Sequence, residues 1–357
     1  MFFRFLLFFL IASSALAADS TFINTTTTQR PKRISIIPVP VIGYAPETQW
    51  LAGFVTGIIA RIDTARPSTI VALATYSQND QFRVYLNPDL YLGPWHTVAE
   101  LEMRRWPDSY WGIGNHTSQR DKETYTPREY SADVSVQKKL TKTFGVGLHY
   151  ALSSVRLLRV EPGRALDRAG LKDRNEVVSG PGASIFYDSR DNTFSPGRGV
   201  YLFGKFGLSH KSLGASSNYR GLNLDLRAYR SLHGSHVLAV QGCATFEGGS
   251  PPFTELPSIG NEYRLRGYNY GRFRDMNVLT AQIEYRFPLI WQIRGGLFAG
   301  AGDVADKVSH FSRPNFKHSL GGGLRWVILP KDKVCLRLDK AWGQRSDAFY
   351  LSLNEAF

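Results

Sequence analysis

The sequence VLTAQIEYRF, residues 278–287, alternates so that apolar side chains fall on one face of an extended strand and polar side chains on the other. The apolar face carries Leu279, Ala281, Ile283, Tyr285 and Phe287, and the polar face carries Thr280, Gln282, Glu284 and Arg286. A soluble sandwich turns such an apolar face into a core, whereas a membrane barrel turns it to lipid and keeps the polar face in a wet lumen. The stretch also matches the length of about 9–11 residues with which a tilted strand crosses a bilayer. It therefore favours a transmembrane strand.

Comparable strands, separated by turn residues, follow one another from Ile34 to the end of the sequence, and helical periodicity is almost absent. The pattern predicts strands at 34–44, 49–62, 68–77, 81–90, 95–106, 127–140, 143–156, 181–189, 199–209, 217–231, 235–247, 276–288, 291–302, 316–328, 333–341 and 348–357. This even number lets the two ends of the sheet meet, so that no strand edge is left open in lipid. The sequence thus predicts an all-β fold, a 16-stranded antiparallel transmembrane β-barrel.

The lengths of the connections support a barrel independently of the strands. The long connections all follow odd-numbered strands, at 107–126, 157–180, 248–275 and 303–315. The clearest short connections follow even-numbered strands, at 141–143, 231–235, 288–290 and 329–332. Membrane barrels have long outer loops and short periplasmic turns, whereas a sandwich has no reason to sort its loops in this way. We therefore expect the N-terminus of the barrel to lie in the periplasm.

The N-terminal residues have the features of a secretory signal. Arg4 precedes an apolar run from Phe5 to Ala12, and Ala15-Leu16-Ala17 offers small residues at the two positions that a signal peptidase reads. A retained membrane anchor is the alternative, but the apolar run is too short to span about 30 Å of hydrocarbon as a helix. We predict a signal peptide at 1–17, a short periplasmic segment at 18–33 and the barrel at 34–357.

Charge and cysteine content limit the classes of partner and chemistry. The formal net charge is +13, which in an exported protein favours outer-membrane lipid, including lipopolysaccharide, or an acidic polypeptide over nucleic acid as partner. Basic residues lining a wet lumen are an equally simple explanation. Cys243 and Cys335 are expected to be free thiols, since we place them several strands apart. No metal-ligand spacing or nucleophile elbow occurs, so we expect no cofactor, no metal and no enzymatic activity.

Three segments go beyond a generic barrel. The first is a turn that contains Asp188, Arg190, Asp191 and Asn192, residue types that favour tight turns for backbone reasons. The second is Tyr263-Arg264-Leu265-Arg266-Gly267-Tyr268 within the longest loop, and the third comprises residues 284–288 and 298–303 on the next two strands. In this order the segments resemble the BamA/TamA family of outer-membrane assembly and translocation barrels (bacterial surface antigen family). The resemblance covers essentially all of residues 34–357.

The resemblance implies that the sixth outer loop folds into the lumen as a latch. It implies that Arg266 is held by the carboxylates of Glu284 and Asp303, that Gly267 permits the tight tip and that Tyr268 packs on the inner wall. Strand alternation independently places Glu284 on the polar face. An Arg fork against carboxylates in a partly desolvated lumen is stronger than a surface ion pair. The alternative is that the latch only plugs and braces the barrel.

The resemblance also implies a function in membrane biogenesis, the insertion or translocation of proteins or lipids through a lateral seam. The seam would join the first strand, Ile34–Tyr44, to the last, Ala348–Phe357, and Pro38 and Pro40 remove ladder donors from the first. Expected partners are unfolded outer-membrane proteins and a periplasmic protein. Classical members carry POTRA domains before the barrel, and residues 18–33 are too short for one, which leaves a stand-alone barrel as the expectation.

Two other functions fit a barrel of this kind. It would act as a passive pore or structural barrel, or as a surface antigen that uses loops 107–126 and 157–180. The final residues alternate and end in the aromatic Phe357, which resembles the C-terminal signal by which bacterial barrels are recognised for insertion. Glu355 departs from the apolar residue usual at its position.

Overall fold

The computed structural model describes residues 34–45, 49–60 and 67–357. The predicted signal peptide at 1–17 and the segment at 18–33 lie outside these residues. None of the helices in the described part is long and apolar enough to cross a membrane.

Strands make up most of the described chain. Their bounds are β1 Ile34–Ala45, β2 Gln49–Ala60, β3 Ser68–Ser77, β4 Phe82–Leu92, β5 Trp95–Arg105, β6 Asp108–Tyr110, β7 Glu123–Lys139, β8 Phe144–Arg159, β9 Asn175–Asp188, β10 Gly199–Ser209, β11 Tyr219–Ser231, β12 Val237–Gly249, β13 Ser258–Ile259, β14 Phe273–Arg274, β15 Asn277–Ile290, β16 Ile293–Ala305, β17 Lys317–Leu329, β18 Val334–Gly343 and β19 Ser346–Leu353. One helix, α1, spans Ala165–Arg168, and 3-10 turns occupy Gln119–Asp121, Lys211–Leu213, Val308–His310 and Arg313–Asn315.

The long strands form one antiparallel sheet in which each pairs with the next along the chain. The ladder runs from β1 through β5, passes to β7, continues to β12, passes to β15 and ends at β19. The short strand β6 extends the edge of β7, and β13 pairs only with β14. The predicted antiparallel barrel of sixteen long strands is confirmed.

Strand bounds follow the prediction within a few residues except at two places. Strand β9 begins at Asn175, opposite Arg156 of β8, whereas a start at 181 was expected. The glycines and the proline at 180–182 do not end the ladder. The last strand ends at Leu353, because Asn354 adopts a positive φ of 66°. Asparagine tolerates this left-handed conformation better than most residues.

The final residues therefore do not extend the last strand, which was predicted to reach Phe357. Ala356 and Phe357 are buried in a cluster with Tyr229 and Ala239, on the inner side of β11 and β12. The Glu355 carboxylate lies 3.0 Å from Arg325 Nε. A carboxylate two residues from the end is thus explained by an ion pair inside the barrel.

The two faces of the strands differ as the opening stretch predicts. On β15, Ile283 is 44% exposed on the outward face, whereas its neighbour Glu284 on the inward face is fully buried. The outward face of the next strands carries exposed Leu297 and Leu320. An apolar outer surface and a charged interior are the pattern of a membrane-spanning barrel.

The connections differ in length at the two ends of the barrel. One end, here called the loop end, carries the segments 106–122, 160–174 and 250–276. The other, the turn end, carries short connections such as 291–292 and 330–333. The loop 250–276 is the sixth connection at the loop end, and it folds back into the lumen.

No ladder joins β1 to β19 within the described residues; instead, the two ends of the sheet overlap at the turn end. Val334 on the outward face of β18 is 1% exposed and packs in a cluster with Ile59 on the inward face of β2 and with Ile37 on β1. Leu353 Cδ1 lies 3.3 Å from the position of a Cβ built on Gly57 of β2. The first strands therefore lie outside the last ones, with apolar side chains between them.

A charge on the outward face tests the membrane position of β15. We expect Ile283→Arg to lower the free energy of unfolding by about 2–4 kcal/mol, because an arginine near the bilayer midplane is poorly solvated. Ile290→Arg, at the end of the same strand and 72% exposed, should cost only about 0–1 kcal/mol. Denaturant unfolding of the protein in lipid vesicles measures both; equal costs would place β15 outside the membrane.

Candidate functional site

The tip of loop 250–276 sits deep in the lumen on a tight turn. Leu265 and Gly267 both have positive φ values, 49° and 105°. A Cβ on Gly267 would lie 2.9 Å from the backbone nitrogen of Gly343 and 2.9 Å from the carbonyl carbon of Trp342. Only glycine allows the loop backbone to approach β18 this closely. Gly267 is thus required for both the turn and the contact.

Arg266 occupies a fully buried position between carboxylates of two strands. Its Nη2 lies 2.6 Å from Glu284 of β15, and its Nη1 lies 2.6 Å from Asp339 of β18. The guanidinium also stacks 3.4 Å from the ring centroid of Phe298 on β16. Both carboxylates are fully buried, so the loop is held by desolvated, charge-assisted hydrogen bonds.

The structure places Asp303 elsewhere, so the prediction that it is the second partner of Arg266 is wrong. Its carboxylate accepts hydrogen bonds from the side chain of Asn115 and from the backbone N–H of Val304 and Ser312. Asp303 therefore fastens the loop 106–122 and the connection after β16 at the loop end. Asp339 takes the place at Arg266, because β18 carries it on the inward face at the depth of the loop tip.

Arg266 belongs to a larger buried ionic network that the sequence analysis missed. Arg325 of β17 bridges three carboxylates, at 3.1 Å to Glu284, 2.7 Å to Asp339 and 3.0 Å to Glu355. Arg286 and Arg337 complete the network through Glu284 and Asp339. The alternation of β18 places Arg337 and Asp339 on its polar face. This pattern in the sequence indicates that both side chains point into the lumen. Buried charges of this kind need several partners each. If one charged side chain is removed, its partners remain buried without a counter-charge and without water.

The loop tip is also fastened to the last strands by tyrosines. Tyr268, which is 2% exposed, donates from Oη to the carbonyl of His318 at 2.7 Å and accepts from the backbone N–H of Gln344 at 2.9 Å. The backbone N–H of Gly267 donates to Tyr350 Oη of β19 at 2.9 Å. Ser352 of β19 donates to the carboxylate of Glu262. The latch therefore contacts β15 to β19, all on one side of the seam.

Nearer the loop end, the first part of the loop forms a cap. The ring of Phe253 packs edge-on against Tyr110 and Tyr125, at centroid distances of 5.2 and 5.6 Å. Glu255 accepts a hydrogen bond from Ser153 Oγ at 3.5 Å. Burial, together with the nearby charge of Glu129, raises the pKa of the Glu255 carboxyl to about 7.

At the turn end, the turn between β9 and β10 contains the predicted turn residues. Asp188 holds Arg190 in a fork with hydrogen bonds of 3.0 and 2.9 Å. Asp191 accepts from the backbone N–H of Gly197 at 2.8 Å, and Asn192 accepts from that of Ser195 at 2.7 Å. These side chains replace backbone partners, as expected of a tight turn.

The same turn reaches across the mouth of the barrel to the strands at the seam. Asn192 donates to the carbonyl of Asp332, between β17 and β18, at 3.1 Å. Ser195 Oγ donates to Glu355 at 3.3 Å, and Phe194 packs with Val334 and Ile59 from the two sides of the seam. The predicted turn residues thus lie in one unit with the seam, a contact that strand alternation and turn composition do not predict.

The described residues contain no group of three or more His, Cys, Asp or Glu side chains that could hold a metal ion. Cys243 and Cys335 are buried and unbridged.

Comparison with known proteins bears directly on this arrangement. The family model described as the Omp85 superfamily domain matches residues 67–357. The chain belongs to the Omp85 superfamily. This confirms the resemblance that the ordered motifs suggested. No curated protein sequence matches the chain.

Two solved structures share the fold of this Omp85 barrel. BamA from Haemophilus ducreyi lacking POTRA domains 1-3 matches with a TM-score of 0.57 and 14% identity, over 90% of this chain and 69% of that one. CdiB from Acinetobacter baumannii matches with a TM-score of 0.56 and 11% identity, over 90% of this chain and 60% of that one. At such identities the likeness shows the fold alone.

Substitution of Asp303 and of Asp339 compares the predicted latch partner of Arg266 with the one observed in the structure. We expect Arg266→Ala and Asp339→Asn to loosen the loop tip, with a cost of about 3–5 kcal/mol for a broken buried pair. Asp303→Asn should leave the tip unchanged and loosen only the loop-end connections. Hydrogen exchange of residues 262–268, together with the temperature at which the folded band is lost on gels, measures the effect.

The opposite ranking, with the tip loosened by Asp303→Asn and not by Asp339→Asn, would contradict this arrangement. Arg266→Lys serves as a second control. It keeps the charge but loses the planar fork, so it should give an intermediate loss.

The cap should loosen as the pH rises. The pKa of the Glu255 carboxyl is raised from 4.5 to about 7, so the stability that its protonated form gives the cap is fully present below 4.5 and is lost as the pH rises through about 7. We expect amide exchange at 250–260, corrected for its intrinsic rate, to be faster at about pH 8 than at about pH 5. Glu255→Gln should reduce this difference; an unchanged difference in the variant would exclude Glu255 as its source.

Proposed function

We propose that this Omp85 barrel assists the insertion or translocation of proteins or lipids at the outer membrane through a lateral seam between β1 and β19. The observation that carries the proposal is the seam itself. Neighbouring long strands elsewhere pair by backbone ladders, whereas within the described residues β1 and β19 have none. Apolar contacts such as Val334 with Ile59 hold the two ends together.

The first strand is poorly suited to closing the barrel by hydrogen bonds. Pro38 and Pro40 both lie in β1, paired with Thr56 and Phe54 of β2. Proline has no N–H to donate and is accommodated in a strand where that side faces an open edge. Two donors are therefore missing from the edge that a closing ladder with β19 would use. This lowers the energetic cost of parting the seam.

The latch makes the two sides of the seam unequal. Arg266 and Tyr268 tie β15 to β19 into one unit by buried ion pairs and hydrogen bonds. On the other side, the contacts that Ile37 and Ile59 make with this unit are apolar. We propose that β1 and β2 move during opening while the latched strands stay fixed. No catalytic step is involved in this function.

We further propose that the turn end lies in the periplasm, where unfolded outer-membrane proteins and a periplasmic partner would meet the barrel. This proposal is supported by the short connections at the turn end, which are typical of the periplasmic side of an outer-membrane barrel. The exposed apolar outer surface would contact outer-membrane lipid, including lipopolysaccharide.

A covalent lock across the seam tests the mechanism. Because Leu353 Cδ1 lies 3.3 Å from the Cβ position of Gly57, we choose Gly57→Cys with Leu353→Cys, in a background of Cys243→Ala and Cys335→Ala. We expect oxidation to reduce the amount of assembled outer-membrane proteins or lipids in cells that carry only this variant, and a reductant to restore it.

The matched control is Gly322→Cys with Lys340→Cys, which joins the neighbouring strands β17 and β18 at paired positions without crossing the seam. Oxidation of this control should have no effect. If the seam lock also leaves the envelope unchanged, the lateral mechanism is wrong. A large, steady conductance of the purified protein in planar bilayers would then support a passive pore instead.

A further inference from the structure

The inner wall of the first three strands is mostly apolar, in contrast to the charged lumen elsewhere. No charged side chain of β1, β2 or β3 faces inward among the described residues. The inward positions are occupied by Ser35, Ile37, Val39, Val41 and Gly43 of β1, by Leu51, Gly53, Val55, Gly57 and Ile59 of β2, and by Thr69, Val71, Leu73, Thr75 and Ser77 of β3. The outward positions of these strands are apolar as well, with Ile36 and Phe54 61% and 63% exposed. A strand with two apolar faces is expected where both faces are shielded from water.

The adjoining strands show that this composition is local. On β4, Arg83 and Asp89 point inward, and on β5 the inward face carries Glu102 and Arg104. Arg83 Nε bonds Glu102 at 2.7 Å in the lumen. The apolar wall therefore ends abruptly at β4.

At the turn end, the outward face of the last strands already covers this wall. Ile37 and Ile59 pack on Val334, and Leu353 fills the space over Gly57. Farther toward the loop end, Val39, Val55 and Leu73 form one row across β1 to β3 and are only half-buried. Val41 follows in the next row of β1. The two apolar surfaces thus begin in contact, and the wall continues beyond that contact without charge.

From this arrangement we infer that the acyl chain of a membrane lipid binds between the inner wall of β1–β3 and the outward face of β18–β19. This inference rests on the proposed lateral seam. We call the proposed binding space between these two surfaces the slot. The outward face of β19 is part of the lipid-facing surface, with Phe349 70% exposed, so the slot continues directly into the bilayer around the edge of β1. An acyl chain enters it without leaving an apolar environment.

The same residues disfavour a polypeptide strand as the occupant of this slot. A strand in an apolar setting must satisfy its backbone donors and acceptors. The row Val39, Val55 and Leu73 offers no polar side chain, and the open edge beside it carries Pro38 and Pro40. An acyl chain needs no such partners. It gains free energy in proportion to the apolar area it buries.

Fluorescence quenching in vesicles tests the occupant. Single cysteines at Val41, Ile42 or Ala151, in the full chain with Cys243→Ala and Cys335→Ala, are labelled with bimane. The proteins are reconstituted in vesicles of phosphatidylethanolamine and phosphatidylglycerol with brominated acyl chains. Ile42 faces lipid and is the positive control; Ala151 faces the lumen from β8 and is the negative control.

We expect brominated lipid to quench the label at Val41 nearly as strongly as the label at Ile42, and to leave Ala151 unquenched. Val55→Glu should restore fluorescence at Val41 without changing Ile42, because a carboxylate in the slot is poorly solvated beside an acyl chain. Val55→Leu keeps the slot apolar and should preserve quenching. A folded band on gels confirms that each variant is assembled.

Quenching at Val41 no greater than at Ala151 would overturn the inference. So would a photo-cross-linker at Val41 that captures polypeptide in cells in place of lipid. The outcome is separable from that of the seam lock. If the label at Val41 is quenched but the seam lock has no effect on the envelope, the lipid site is supported and lateral transport is contradicted. If the lock has its effect but the label is not quenched, the seam mechanism is supported and the lipid site is contradicted.

Discussion

The fold depends on the burial of one arginine. Arg266 enters the lumen from a loop, and its charge is tolerated there only because Glu284 and Asp339 meet it from two strands. Those carboxylates need further cations, which Arg325 and Arg337 supply. The requirement that each buried charge be paired therefore fixes the depth of the loop and the relative position of β15, β17 and β18. The loop lies in the lumen as a consequence of this pairing.

The polar network and the apolar seam divide the barrel into two mechanically different parts. From β15 to β19, directional bonds through the latch define a single arrangement. From β1 to β3, side chains on both faces are uncharged and mostly apolar, and the contact with the last strands comes from packing of residues such as Ile59 and Val334. Packing contacts are individually weak and have little directional preference. In the proposed mechanism, the part of the protein that moves is thus set by the distribution of charge along the chain.

Much of this could be predicted from sequence, since strand alternation is a local property. The pattern at 278–287 gave the face of Glu284 correctly, and the order of the motifs led to Arg266 as its partner. Asp303 was misplaced because alternation says which face a residue occupies and not which residues meet across a lumen. Alternation also places Glu355 within the last strand, whereas Asn354 ends that strand. The seam overlap left one local trace, the apolar residues on both faces of 34–42.

The overlap of the two sheet ends has a consequence for the size of the barrel. In a barrel closed by a continuous ladder, the strand number and shear fix the circumference to discrete values. Here Leu353 lies over Gly57 without a backbone register between their strands. The overlap therefore does not restrict the circumference to those discrete values, and the perimeter of the barrel is set by side-chain packing between the two sheet ends.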